Sequence, residues 1–297
     1  MHDPLPFSTD LARISTGSLA APEEVARLLT EGYEECRGNA EGKVADYIPA
    51  LAEVDPSLFG AAIVGAAGQM VSVGDAQVPF SIQSVSKPFV FALVCDALGF
   101  DAARKHIGVN GTGLPFDSVM AIELNEDRTM NPMVNAGAIA TTSLVPGATG
   151  SDKWDFVQRG LSRFAGRDLQ VDERIYESES ATNFRNRGIA HLLDGYGHLY
   201  FDPDEATDVY TRQCSLLITA EDLALMRKLA AEAVGVGVRK DMRAVAQDHG
   251  ADMPRRIGRK PRMPPGNGGV AGRKPRPYPV ARLVSGLDRA FARIGRA

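Results

Sequence analysis

Two hydrophobic periods alternate along the chain. Phe59–Val64 and Gln69–Val73 carry apolar and β-branched residues on either side of Gly65-Ala66-Ala67-Gly68, which predicts a β-hairpin. Gly74-Asp75 closes its second strand, and Val78–Ile82 fits a further short strand. Elsewhere the helical period takes over. Pro22-Glu23-Glu24, followed by Val25, Leu28, Leu29 and Tyr33, predicts an amphipathic helix with proline and acids in its first turn. The run Ser84–Leu98 is apolar nearly all round, through Phe89, Val90, Phe91, Leu93, Val94 and Leu98, and so predicts a buried helix stopped by Gly99. Pro88 fits that helix only in its first turn, which places Ser84 at the helix start.

The region 131–234 reads as mainly helical. Ser151-Asp152 is expected to cap a helix carrying Trp154, Val157, Leu161 and Phe164 and ended by Gly166. Ala190–Leu193 and Val209–Leu217 are further helical segments, and Thr219-Ala220-Glu221-Asp222 resembles a capping box with Asp in the acceptor position. Asp202, Asp204 and Glu205 read as a solvated, capping acidic cluster.

Composition narrows the class. The chain has 297 residues, 44% of them hydrophobic and 24% charged, the profile of an ordinary globular protein. Met1-His2-Asp3-Pro4 shows no secretory leader, and no run of about 18 apolar residues predicts a membrane span. Cys36, Cys95 and Cys214 are odd in number and far apart, which speaks against a disulfide framework or a zinc site and fits a reducing cytoplasm. The net charge of −4 conceals a split: residues 1–226 hold 16 basic and 32 acidic side chains (net −16), residues 227–297 hold 17 and 5 (net +12).

Candidate chemistry concentrates in Phe80-Ser81-Ile82-Gln83-Ser84-Val85-Ser86-Lys87-Pro88. Ser84 and Lys87 form an S-x-x-K pair, and residues three apart share one helix face. A serine hydroxyl needs a base to become a nucleophile at neutral pH. Burial beside an apolar helix lowers the lysine pKa and favours the neutral amine that can serve, while backbone N–H groups at a helix start can stabilise an oxyanion. The same pair is also compatible with a serine cap beside a solvated lysine. Its place after a hairpin and before a buried helix resembles the serine penicillin-interacting enzymes.

Further segments define the resemblance. Lys43-Val44-Ala45-Asp46-Tyr47-Ile48-Pro49 precedes the hairpin, and Asn131-Pro132-Met133-Val134-Asn135-Ala136-Gly137-Ala138 follows the Ser84 helix. Ser178-Glu179 and Arg185-Asn186 follow, with Glu179 and Asn186 seven residues apart, two turns if the segment is helical. Tyr210 precedes Gln213-Cys214-Ser215. Together these resemble the serine-dependent glutaminases from about Gly42 to Met226. The resemblance implies a β-lactamase-like α/β (α+β) fold, an antiparallel sheet packed with helices plus a helical subdomain. It implies hydrolysis of L-glutamine to L-glutamate and ammonia without a cofactor, in a cytoplasmic homo-oligomer, dimer or tetramer. Ser84 would be the nucleophile and Lys87 its base, with Tyr47, Gln83, Asn135, Glu179, Asn186 and Tyr210 lining the glutamine pocket. Glu179 can accept from the α-ammonium, and Asn and Tyr side chains can donate to the α-carboxylate.

The resemblance stops near residue 227. The family's C-G-M-Y segment is missing, Tyr278 is the only tyrosine after Tyr210, and Gly268-Gly269-Val270-Ala271-Gly272 only faintly echoes the family's K-S-G-V-x-G-G strand. The expected organisation is therefore a catalytic region over 1–226 and a basic segment over 227–297. That segment reads either as a divergent tail or as a shift of reading frame in a GC-rich gene. Two rivals to glutamine hydrolysis remain at this stage: a penicillin-interacting hydrolase, and an inactive homologue whose basic tail binds nucleic acid. No aromatic interleaving or recognisable motif supports the latter.

Overall fold

The computed structural model describes residues 21–65, 68–108 and 111–229. The expectations that concern the chain start, Val270, Tyr278 and the C-terminal strands lie outside them. Helix α1 (Pro22–Cys36) starts on its predicted proline. It packs against the predicted hairpin, β1 (Gly60–Val64) antiparallel to β2 (Met70–Gly74), with Tyr33 stacked on Phe59 at 5.2 Å. A second antiparallel pair joins β3 (Phe80–Ser81) to β4 (Leu217–Ile218). Between those strands in sequence lies a helical body: α2 (Lys87–Leu98), α3 (Phe100–His106), α4 (Met120–Glu123), α5 (Asn135–Ser143), α6 (Gly150–Ala165), α7 (Glu173–Thr182), α8 (Phe184–Gly195) and α9 (Pro203–Cys214). Among the described residues the fold is thus a helix-rich α/β one with small antiparallel sheets, as expected, and no helix is long and apolar enough to cross a membrane.

The core sits around α5, all nine of whose residues are buried. Ile139, Ile189, Leu193 and Tyr210 form one apolar cluster with it, and Phe89, Val90, Val94, Val157 and Leu161 form a second between α2 and α6. Gly137 permits the close approach on the first side: a methyl group there would collide with the Asn131 carbonyl.

Four details differ from the sequence expectations. The helix predicted to begin at Ser84 starts as a 3-10 turn over Gln83–Ser86, and the α-helix begins at Lys87 with Pro88 in its first turn. Proline lacks the N–H that a helix interior requires, so it sits where that donor would have no partner in any case. The cap of α6 is Thr149 rather than Ser151-Asp152: Thr149 accepts from the Asp152 N–H, and Asp152 accepts from the Thr149 N–H at 3.0 Å. Glu179 and Asn186 share no helix, because Asn183 breaks the segment and donates at 3.0 Å to Thr211 Oγ1 on α9. The helical segment expected over Val209–Leu217 stops at Cys214, and Leu217 pairs with Ser81 in β4 instead. Other predicted signals hold. Gly166 closes α6 in the left-handed region, Asp202 caps α9, and Thr219 and Asp222 form the reciprocal box that starts a helical run over 220–229.

Candidate active site

The turn between β3 and α2 presents Ser84. Gln83 takes φ +49°, an uncommon conformation for a residue with a side chain and one that tends to mark functional sites. This kink turns the chain from the strand into the helix. It leaves Ser84 exposed while Lys87, three residues on, is 3% exposed.

Lys87 is held from above. Its Nζ donates to Asn135 Oδ1 at 2.8 Å and to the Met133 carbonyl at 3.5 Å, and it lies 5.7 Å from the centre of the Phe116 ring. Burial pushes the Lys87 amine below the ordinary lysine range, and its electrostatic interaction with Cys214 and Glu179 opposes that push. A buried ammonium is costly without a full counter-charge, so its neutral form becomes accessible.

Asn135 is the hub. It is the first residue of α5, and its Nδ2 donates to Asn186 Oδ1 at 2.9 Å. Its Oδ1 also accepts from the Tyr210 hydroxyl at 3.4 Å. Tyr210 is 2% exposed, and Ser84 and Cys214 lie within hydrogen-bonding reach of its hydroxyl. Burial raises its pKa well above the ordinary value, so it stays protonated as a donor. The Cys214 thiol is pushed up to about 12 by the same burial, which makes it an inert wall rather than a nucleophile.

Glu179 is the acidic member, 7% exposed on α7. Burial raises its carboxyl to about 7, against the lowering effects of a Gln83 hydrogen bond and the Lys87 charge. Among the described residues, its Oε2 has no hydrogen-bond partner. A buried carboxylate oxygen without a donor is expensive, and a cationic ligand would satisfy it.

Seven of the eight candidate residues therefore meet: Ser84, Lys87, Gln83, Asn135, Glu179, Asn186 and Tyr210. Tyr47 is the remaining candidate. It is 58% exposed, so it is not a core aromatic. The 3-10 turn just after it, Pro49–Glu53, docks on α7 through Ala50 N donating to Ser178 Oγ at 3.2 Å, beside Glu179. Sequence reasoning assigned no role to Phe116, Met133, Ser86 and Gln213, which surround Lys87 and the Ser84 turn. For Gln213 a signal existed: it lies three residues after Tyr210, on the same helix face. No three His, Cys, Asp or Glu side chains gather as metal ligands among the described residues.

Comparison with known proteins adds an independent line. The glutaminase family model matches residues 42–253, a span that contains all eight candidate residues. Glutaminase 2 of Yersinia pestis is 54% identical over 213 residues, covering 72% of this chain and 63% of that protein. The match thus spans less than two thirds of that relative's length. Among solved structures, the probable glutaminase ybaS superposes with a TM-score of 0.68 at 39% identity, covering 69% of this chain and 67% of that one. The Bacillus subtilis glutaminase YbgJ, in covalent complex with 5-oxo-L-norleucine after reaction with 6-diazo-5-oxo-L-norleucine, gives 0.60 at 30%, covering 68% and 64%. These neighbours have the β-lactamase-like fold that the motifs implied. The chain belongs to the glutaminase family.

Proposed function

We propose that this protein hydrolyses L-glutamine to L-glutamate and ammonia through an acyl-enzyme on Ser84. One observation carries the reading: an exposed serine hydroxyl stands one turn from a buried lysine amine, beside a buried carboxylate with an open acceptor. Family membership supports the substrate, and the covalent adduct of the Bacillus subtilis relative with a glutamine-shaped diazoketone supports a nucleophile at the site.

In the proposed cycle, Glu179 accepts from the α-ammonium of glutamine, with Gln83 beside it. Asn186 and Tyr47 face the rest of the amino-acid head. Ser84 Oγ attacks the side-chain amide carbon as its proton passes to the neutral Lys87 amine. The backbone N–H of Ser84, at the start of the turn, stabilises the oxyanion. The C–N bond then breaks, and ammonia leaves with a proton returned from Lys87. Water, deprotonated by Lys87, cleaves the resulting γ-glutamyl ester and frees Ser84. Tyr210, kept protonated by burial, donates within the site and orients Asn135.

The cytoplasmic, homo-oligomeric setting and the basic segment over 227–297 belong to the same proposal. Sequencing the coding DNA tests the segment: a C-G-M-Y and a K-S-G segment in an alternative frame would mark a frame shift. The chemistry is tested by incubating the full chain with 6-diazo-5-oxo-L-norleucine and with benzylpenicillin, followed by peptide mass spectrometry. Label from the diazoketone on Ser84 is expected. Label from penicillin alone, or label elsewhere, would overturn the reading in favour of the penicillin-interacting rival or an inactive homologue.

A further inference from the structure

A chain of hydrogen bonds runs from the protein interior to the positive-φ residue before Ser84. Thr142 Oγ1 on α5 donates to Gln213 Oε1 on α9 at 2.9 Å. Gln213 Nε2 donates to Ser86 Oγ at 3.2 Å, and Ser86 Oγ donates to the Gln83 carbonyl at 2.8 Å. Thr142 and Gln213 are each 1% exposed and Ser86 is 0% exposed, so water does not compete for the first two of these bonds.

The direction of the chain follows from its chemistry. A serine hydroxyl has one proton and two lone pairs, whereas an amide has distinct donor and acceptor ends. Thr142 at Oε1 orients the Gln213 amide so that its N–H₂ end faces Ser86. Ser86 then accepts there, and its single proton is left for the Gln83 carbonyl. That carbonyl belongs to the one described non-glycine residue of the site whose φ is positive. Such a conformation persists only where the surroundings over-determine it.

We infer that Gln213 is a positioning residue for the reaction: through Ser86 it holds the Gln83 backbone in the left-handed conformation that aims Ser84. The inference rests on the proposed role of Ser84. The Gln83 side chain has separate holds, donating from Nε2 to Ser81 Oγ at 3.2 Å and hydrogen bonding to Glu179. Its share of substrate binding therefore outlasts loss of the relay, and the effect falls on the chemical step.

The test measures glutamine turnover by the full chain, normalised to active sites titrated with 6-diazo-5-oxo-L-norleucine. Gln213→Leu, Ser86→Ala and the milder Thr142→Val are compared with the unmodified protein. Gln213→Leu and Ser86→Ala are each expected to lower kcat about tenfold with KM held within about twofold. The double variant should be no slower than either single one, because all act through the same bond. Ser86→Thr, which keeps the hydroxyl, should restore most of the rate. Thr142→Val removes only a hydroxyl and keeps the test usable if Gln213→Leu does not fold, and it should lower kcat in the same direction. Unchanged kcat per titrated site, or losses that multiply in the double variant, would overturn the relay alone. An unmodified protein that neither turns over glutamine nor reacts at Ser84 would overturn the parent reading, and the relay with it.

Discussion

Lys87 Nζ donates to Asn135 Oδ1 at 2.8 Å, and the partner is neutral. An amide gives the amine a hydrogen bond without supplying the full negative charge that would fix it as ammonium. The proposed base depends on that choice. Replacing Asn135 by Asp keeps the shape and adds the charge, and an opposite charge at this range favours the protonated amine. In Asn135→Asp the rising limb of kcat against pH is expected to move about one to three units toward alkaline pH. Activity at neutral pH should fall and recover as pH rises, which a pH–rate profile measures directly.

Glu179 makes a prediction of opposite sign. Its carboxyl is raised to about 7 by burial, from 4.5, so the folded state holds a proton that the unfolded chain releases at lower pH. Stability tied to this group is fully present below about pH 4.5 and is lost as pH rises through about 7, an effect on the order of 3 kcal/mol. Urea titrations of Glu179→Gln beside the parent should show the parent losing stability across this window relative to the variant. Binding runs the other way. The α-ammonium of glutamine requires the ionised carboxylate, so KM of the parent should rise as pH falls below about 7, by up to about tenfold per unit. KM of Glu179→Gln should be high and flat over the same range.

Gly137 links packing to the site. It lies two residues after Asn135 in α5, and a methyl group there would meet the Asn131 carbonyl. Overpacking of this kind costs about 1–3 kcal/mol. Because α5 also carries Asn135, Gly137→Ala should lower Tm by about 2–4 °C per kcal/mol and reduce kcat together. Calorimetry paired with turnover checks both. A variant with unchanged Tm would show that the loop before α5 yields freely.

Much of this was legible in the sequence, for physical reasons that differ by element. The hairpin showed because β-branched residues flanking a glycine-rich turn favour paired strands. Helix α2 showed because its apolar residues surround the axis. The break at Asn183 did not show, because it is set by a bond to Thr211 on a different helix. The 3-10 start of the Ser84 turn was hidden for a similar reason: its Ser86 hydrogen bonds to Gln213 and, through it, to Thr142 on two other helices. Motif context singled out the seven candidate residues that converge, whereas Gln213 carries no charge and is marked only by its spacing from Tyr210.

Ammonia release from L-glutamine by the full chain, beside Ser84→Ala at matched concentration, bears on all of these statements at once. Steady turnover by the parent is expected, with a loss of about a thousandfold or more in the variant, because the attacking hydroxyl is gone. Equal turnover by the two proteins, or no turnover by a folded parent, would contradict the assignment of Ser84 as the nucleophile of an active glutaminase.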